Sequence, residues 1–222
     1  VTSMSGRRLL GSRRPIDVVI AVGGAAVTAA CAIAVSGGTV GRLERGAFAA
    51  LNGAGEGWRW PLWGFQLQGV LAMPLLVAAG ALALRRPRLA AALVLLVPLK
   101  LVVERELLKD LVHRERPGTT IPGAVLRDVP ASGDSFPSGH AIVAFGIAVL
   151  LLPYLTRRWA ALVLALAVLN SVARVYLGGH APLDVIGGAG AGAAIGALLT
   201  LVLGVTSPPE RGRTGAGRVL TR

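Results

Sequence analysis

Two histidines, one carboxylate and three cations stand in three short stretches of this sequence, and their types suit chemistry on a phosphate group. The first stretch is KDLVHRERP, where six residues separate Lys109 from Arg116 and Pro117 follows. The second is PSGH, residues 137–140. The third is ARVYLGGHAPLD, where five residues separate Arg174 from His180 and three more separate His180 from Asp184. Lysine offers a compact charge and arginine a planar fork, and both bind phosphate oxygens. Seven positions along a helix return to nearly the same face, so Lys109 and Arg116 are expected to point into one site. Ser138 is placed to cap a helix starting at Gly139, which leaves the N–H groups of Gly139 and His140 directed at an anion. Pro182 suits the first turn of another helix and sets Asp184 within reach of the His180 ring. A carboxylate holding one imidazole nitrogen fixes the tautomer and makes the other nitrogen the better nucleophile. His140 is left as general acid for the departing oxygen.

The elements that must position these residues are apolar. Of 222 residues, 54% are hydrophobic and 15% charged, against about 25% charged in an ordinary soluble domain. The net charge of +12 does not point to nucleic acid, because the basic residues form short clusters between apolar runs, as in membrane proteins. A helix needs about 20 apolar residues to cross a bilayer. Runs at 16–35, 66–84, 89–108, 139–155, 159–177 and 183–205 predict an all-α integral membrane bundle of six transmembrane helices. The first run lacks a small-x-small cleavage site and is expected to be kept as a span. Domain boundaries follow: an arm at 1–15, the bundle at 16–205, and a tail at 206–222 without regular structure.

Arginines set the orientation. They cluster at Arg7, Arg8, Arg13 and Arg14, at Arg85, Arg86 and Arg88, at Arg157 and Arg158, and at Arg211, Arg213, Arg218 and Arg222. With six spans these four regions share one side, expected to be the cytoplasm. The three chemical stretches then all fall on the outer side, a convergence that hydropathy and arginine positions alone produce. Trp58, Trp60 and Trp63 in the first outward connection read as an interfacial belt. Gly188, Gly192 and Gly196, four apart, read as a face for close helix packing and not as a nucleotide loop. Lys100 and Glu104 are expected to pair inside the third span, nearly opposite Lys109 on the helical wheel. Arg105 lies nearer the Lys109 face and is a candidate addition to the cationic cradle. His113 reads as a loop residue outside the chemistry, and Cys31 as an inert buried thiol.

The three stretches resemble the signature of the type 2 phosphatidic acid phosphatase (PAP2) superfamily, K-x6-R-P, then P-S-G-H, then S-R-x5-H-x3-D. The match runs through Lys109, Arg116, Pro117, Pro137, Ser138, Gly139, His140, Arg174, His180 and Asp184. It departs at Ala173, where the pattern has serine and its hydroxyl. The resemblance implies a phosphatase with His180 as nucleophile, His140 as acid and no metal or other cofactor. The expected substrate is a lipid phosphate met at the membrane, polyprenyl diphosphate first. Phosphatidylglycerophosphate, phosphatidate and a polyprenyl-linked sugar phosphate stay open, as does transfer to an acceptor other than water. A lipid-binding or lipid-flipping protein with an inactive site is the non-enzymatic alternative.

Overall fold

Long apolar runs broken by short polar or glycine-bearing links give nine α-helices among residues 13–205, the residues that the computed structural model describes. They are α1 (Pro15–Val35), α2 (Arg42–Asn52), α3 (Arg59–Gln66), α4 (Ala72–Ala83), α5 (Pro87–Leu101), α6 (Pro117–Thr120), α7 (Gly139–Leu151), α8 (Arg157–Tyr176) and α9 (Pro182–Leu203). The described chain is all-helical, as expected, and no β-strand occurs in it. The arginines at 7, 8, 211, 213, 218 and 222 lie outside the described residues, as do most of the arm and all of the tail.

Each of the six predicted spans finds a helical body, but not always a single straight one. Three helices are long and apolar enough to cross a membrane: α1, α8 and α9. A fourth is reached if Glu56–Gly69 and Ala72–Ala83, bent by 65°, count as one broken span. The third predicted span is α5 prolonged by a π-helical segment, Val102–Lys109. The fourth, Gly139–Tyr154, is apolar but shorter than a full crossing. Large apolar side chains face outward on these bodies, including Val22, Ile33, Leu76 and Val202. In water such a surface would drive association, whereas lipid covers it without cost.

Helix α9 is the centre of the bundle, with α1 on one side and α7 on another. Its glycines set the spacing. A Cβ at Gly188 would stand 2.5 Å from the Ser138 carbonyl oxygen, and one at Gly196 would stand 2.9 Å from that of Gly146. Only hydrogen at these positions lets the two backbones approach so closely, as the four-residue spacing predicts. A core of Leu93, Leu96, Ile142, Val143 and Ile195 joins α5, α7 and α9. Cys31 is buried in an apolar cluster with Val35, Val112 and Phe136.

The long connections pack over one end of the bundle. Amphipathic α2 buries Glu44, Phe48 and Asn52, which recur every four residues on one face. Asn52 holds the 110–138 segment by accepting the Val125 N–H at 2.8 Å and donating to the Val125 and Tyr176 carbonyls. The Arg127 guanidinium bonds the Asn52 and Tyr176 carbonyls and stacks 4.1 Å over the Tyr176 ring. Trp58 and Trp60 lie on the same covering segment, 61% and 70% exposed.

Candidate phosphoryl-transfer site

His180 lies in the turn between α8 and α9. Gly178, at φ +82°, reverses the chain there, in a backbone region that favours glycine. The imidazole is 3% exposed, and its Nδ1 lies 2.9 Å from the Ser135 carbonyl oxygen. A carbonyl only accepts, so Nδ1 carries the proton and Nε2 keeps its lone pair. Burial, then the charges of Arg174 and Arg116, hold this imidazole well below its ordinary pKa, against the pull of the Ser135 bond. The resting ring is therefore neutral, the form a nucleophile needs.

Asp184 does not hold the ring directly, contrary to the expectation from its spacing. Its Oδ2 is 3.9 Å from His180 Nδ1, beyond hydrogen-bond range. The reason is local. Asp184 sits in the first turn of α9 and turns back to accept the Ala181 N–H at 2.7 Å, as helix-starting acids do. The same oxygen accepts the Ser135 hydroxyl at 2.5 Å. Ser135 thus stands between carboxylate and imidazole, with its carbonyl on the ring and its hydroxyl on Asp184.

Ser138 occupies the N-cap position of α7 but makes no capping bond. Its N–H donates to the Asp184 carbonyl at 2.9 Å, while its hydroxyl is buried without a partner. The first-turn N–H groups at Gly139 and His140 have no acceptor within their own helix. The hydroxyl and these N–H groups suit the oxygens of a phosphate. His140, half-buried, adjoins a part of the chain that sequence reasoning left out of the site. A Cβ at Gly69 would fall 2.6 Å from that of His140, so the break between α3 and α4 abuts α7.

The cations converge by different routes. Arg116 donates to the Gly179 carbonyl at 2.8 Å. The Arg174 Nη2 stands 2.6 Å from where a Gly179 Cβ would be, so the two guanidiniums bracket the residue before His180. Arg174 donates to Gln66 Oε1 at 2.5 Å, and the Asn170 side chain donates to the Phe65 and Gln66 carbonyls. Lys109 and Arg116 do not share a helical face, because the helix ends near Leu111 and Arg116 lies in the following loop. Lys109 instead meets Glu104 at 3.0 Å. The π-helical turn explains this: it bonds i to i+5 and brings residues five apart to one side, where an α-helix would splay them. Glu104 also pairs with Lys100, as expected, and its carboxylate packs against Gly139, where a Cβ would come within 2.6 Å of Oε2. Lys109 reaches the α7 N-terminus through this carboxylate. Arg105 and His113 are exposed, and Ala173 is buried beside Leu62, Tyr176 and Leu177.

Arg114, Glu44, Ser135 and Gln66 were not singled out in the sequence. Arg114 is wholly buried. Its fork meets Glu44 at 3.1 and 2.6 Å and Asp184 at 2.7 Å. Its only signal was an extra arginine inside a motif already explained by its neighbours. Glu44 sits in the first outward connection and Gln66 at the edge of the second predicted span, and neither belongs to a motif.

A membrane-embedded helical bundle with a histidine pair and arginines at one end is the class that fold and site define. The chain belongs to the PAP2 superfamily, whose family model matches residues 72–206. Over 63 residues it is 48% identical to the provisionally named undecaprenyl-diphosphatase YbjG of Escherichia coli, covering 28% of this chain and 31% of that protein. Over 58 residues it is 43% identical to the lipid A 4'-phosphatase of Bacteroides thetaiotaomicron, covering 26% of each. The matches thus span less than a third of these curated relatives. The fold is similar to that of a transmembrane PAP2-type phosphatidylglycerolphosphate phosphatase from Bacillus subtilis, with TM-score 0.61 and 23% identity over 83% of this chain and 94% of that one.

Proposed function

We propose that the protein is a membrane lipid phosphatase that removes a terminal phosphate through a phosphohistidine on His180. The observation that carries this is a neutral, oriented His180 beside two arginines and the amide-rich start of α7. His180 Nε2 forms a bond to phosphorus while the bond from phosphorus to the leaving oxygen breaks. Arg116, Arg174, Lys109, Ser138 and the Gly139 and His140 N–H groups hold the other oxygens, and such fixed charge is the main source of rate in phosphoryl transfer. His140 gives its proton to the leaving oxygen. Water then attacks the phosphohistidine, His140 takes the water's proton, and orthophosphate departs from regenerated His180. Asp184 acts through Ser135 and through the local field.

Polyprenyl diphosphate is the substrate class we favour, supported by the undecaprenyl-diphosphatase resemblance over the matched segment. Phosphate release by detergent-purified protein should be measured on polyprenyl diphosphate, phosphatidate, phosphatidylglycerophosphate and a polyprenyl-linked sugar phosphate. The expected result is release fastest from the diphosphate, unchanged by EDTA and blocked by vanadate, which mimics the five-coordinate phosphorus. Activity lost to EDTA and restored by Mg²⁺ would overturn the metal-free route. No release from any member would leave the lipid-binding alternative.

A further inference from the structure

Ser135, which holds His180, and Asp184, which holds Ser135, are themselves held by one buried residue. The Arg114 carbonyl accepts the Ser135 N–H at 2.7 Å, and the Arg114 side chain bonds Asp184 Oδ1 at 2.7 Å. Arg114 therefore grips Ser135 by its backbone and Asp184 by its guanidinium. Glu44 completes the cluster: besides its bidentate bond to Arg114, it accepts the Leu183 N–H at 2.9 Å and so pins the start of α9. Burial pushes the Arg114 pKa down, yet Glu44 and Asp184 push it up further, so the guanidinium stays charged.

We propose that Arg114, with Glu44 as its counter-ion, is the positioning residue of the phosphoryl site, fixing Ser135 and Asp184 about His180 and setting the net charge behind its ring. The proposal rests on reading His180 as the nucleophile. When Nε2 bonds phosphorus, the ring gains positive character while its Nδ1 keeps its proton and donates it in a hydrogen bond to the Ser135 carbonyl. Arg114, Glu44 and Asp184 together leave one net negative charge to stabilise that ring. Glu44 is what makes the balance negative, since Arg114 and Asp184 alone would cancel. The other charged or titratable groups facing His180 are Arg174 from α8, Arg116 from the loop before α6 and His140 from α7. All three are kept in the variants below.

The test is the pH dependence of single-turnover phosphohistidine formation, trapped by rapid quench. Glu44→Gln should slow the step and move its acidic limb to lower pH, because the ring is less able to hold positive charge. Arg114→Met should move the limb the opposite way. Each shift should be about one to two pH units, the size of a unit charge roughly 6–12 Å away at an effective dielectric near 20. The double variant Glu44→Gln/Arg114→Met restores the net charge and should return the limb to the wild-type position, with the rate still reduced. That comparison stands even if Arg114→Met alone does not fold, since the double variant removes the stranded charge. Arg114→Lys should keep the wild-type limb with a slower rate. Variants that slow the step without moving the limb would reduce the cluster to scaffolding and overturn the proposal. Wild-type protein that forms no phosphohistidine would instead overturn the reading of His180.

Discussion

In the proposed mechanism the histidines have separate tasks, so their substitutions should fail differently. His180→Ala removes the attacking nitrogen and should abolish phosphohistidine. His140→Ala should still form it but lose about 10²–10⁴-fold in rate on a lipid phosphate. That loss should shrink on p-nitrophenyl phosphate, whose leaving group departs without a proton. Phosphohistidine in His180→Ala but not in His140→Ala would invert the assignment. His180 also makes stability depend on pH. Its pKa is depressed in the folded protein, so below about 6.5 the unfolded chain binds the proton and the folded one does not. Stability is then undiminished above that pH and falls as pH drops through it. Unfolding temperatures in detergent should fall from pH 7 to pH 5, less steeply in His180→Gln. At this scale the sequence was legible in placement: the two histidines, Arg116, Arg174 and Ser138 come to one end of the bundle. It was not legible where a residue acts through a neighbour. Spacing placed Asp184 near His180 but could not show Ser135 between them or Arg114 behind them.

Helices were legible as hydrophobic runs, and their interruptions were not. The bend between α3 and α4 falls just before Pro74, which has no N–H to bond the Val70 carbonyl four residues back; the apolar run hides this break, yet it brings Gln66 to Arg174 and Gly69 to His140. The π-helical turn is likewise invisible to a 3.6-residue wheel, which placed Glu104 away from Lys109. Gln66→Ala should leave the bundle folded while freeing the Arg174 fork. A hydrogen bond to a charged group contributes about 1.5–3 kcal/mol, so kcat/KM should fall about ten-fold or more. An unchanged kcat/KM would show that Arg174 needs no such support. The α7–α9 contact is stricter. Gly188→Leu would drive a side chain into the Ser138 main chain, and overpacking of this kind costs about 1–3 kcal/mol. A lower unfolding temperature and a displaced α7 N-terminus, hence lost activity, are both expected.

Across the whole molecule, charge is divided between the two ends. At the site end, three arginines outside the phosphate cradle pair with carboxylates: Arg59 with Asp128, Arg114 with Glu44 and Asp184, Arg127 with Glu56. The other end gathers the links after α4 and before α8, where the Arg86 guanidinium lies 4.6 Å over the Tyr154 ring. These links and the first turns of α5 and α8 hold Arg85, Arg86, Arg88, Arg157 and Arg158 and no carboxylate. Such an excess of positive charge in short loops is retained on the cytoplasmic side. The site end should then face outward, where a lipid phosphate would meet it at the interface. Single cysteines at Thr119 and Thr156, both exposed and at opposite ends, test this in a Cys31→Ala background. An impermeant thiol reagent applied to intact cells should label position 119 and spare 156 until the membrane is opened. Labelling of 156 alone would turn the molecule over and place its chemistry on the cytoplasmic face, and the substrate would then have to come from the inner leaflet.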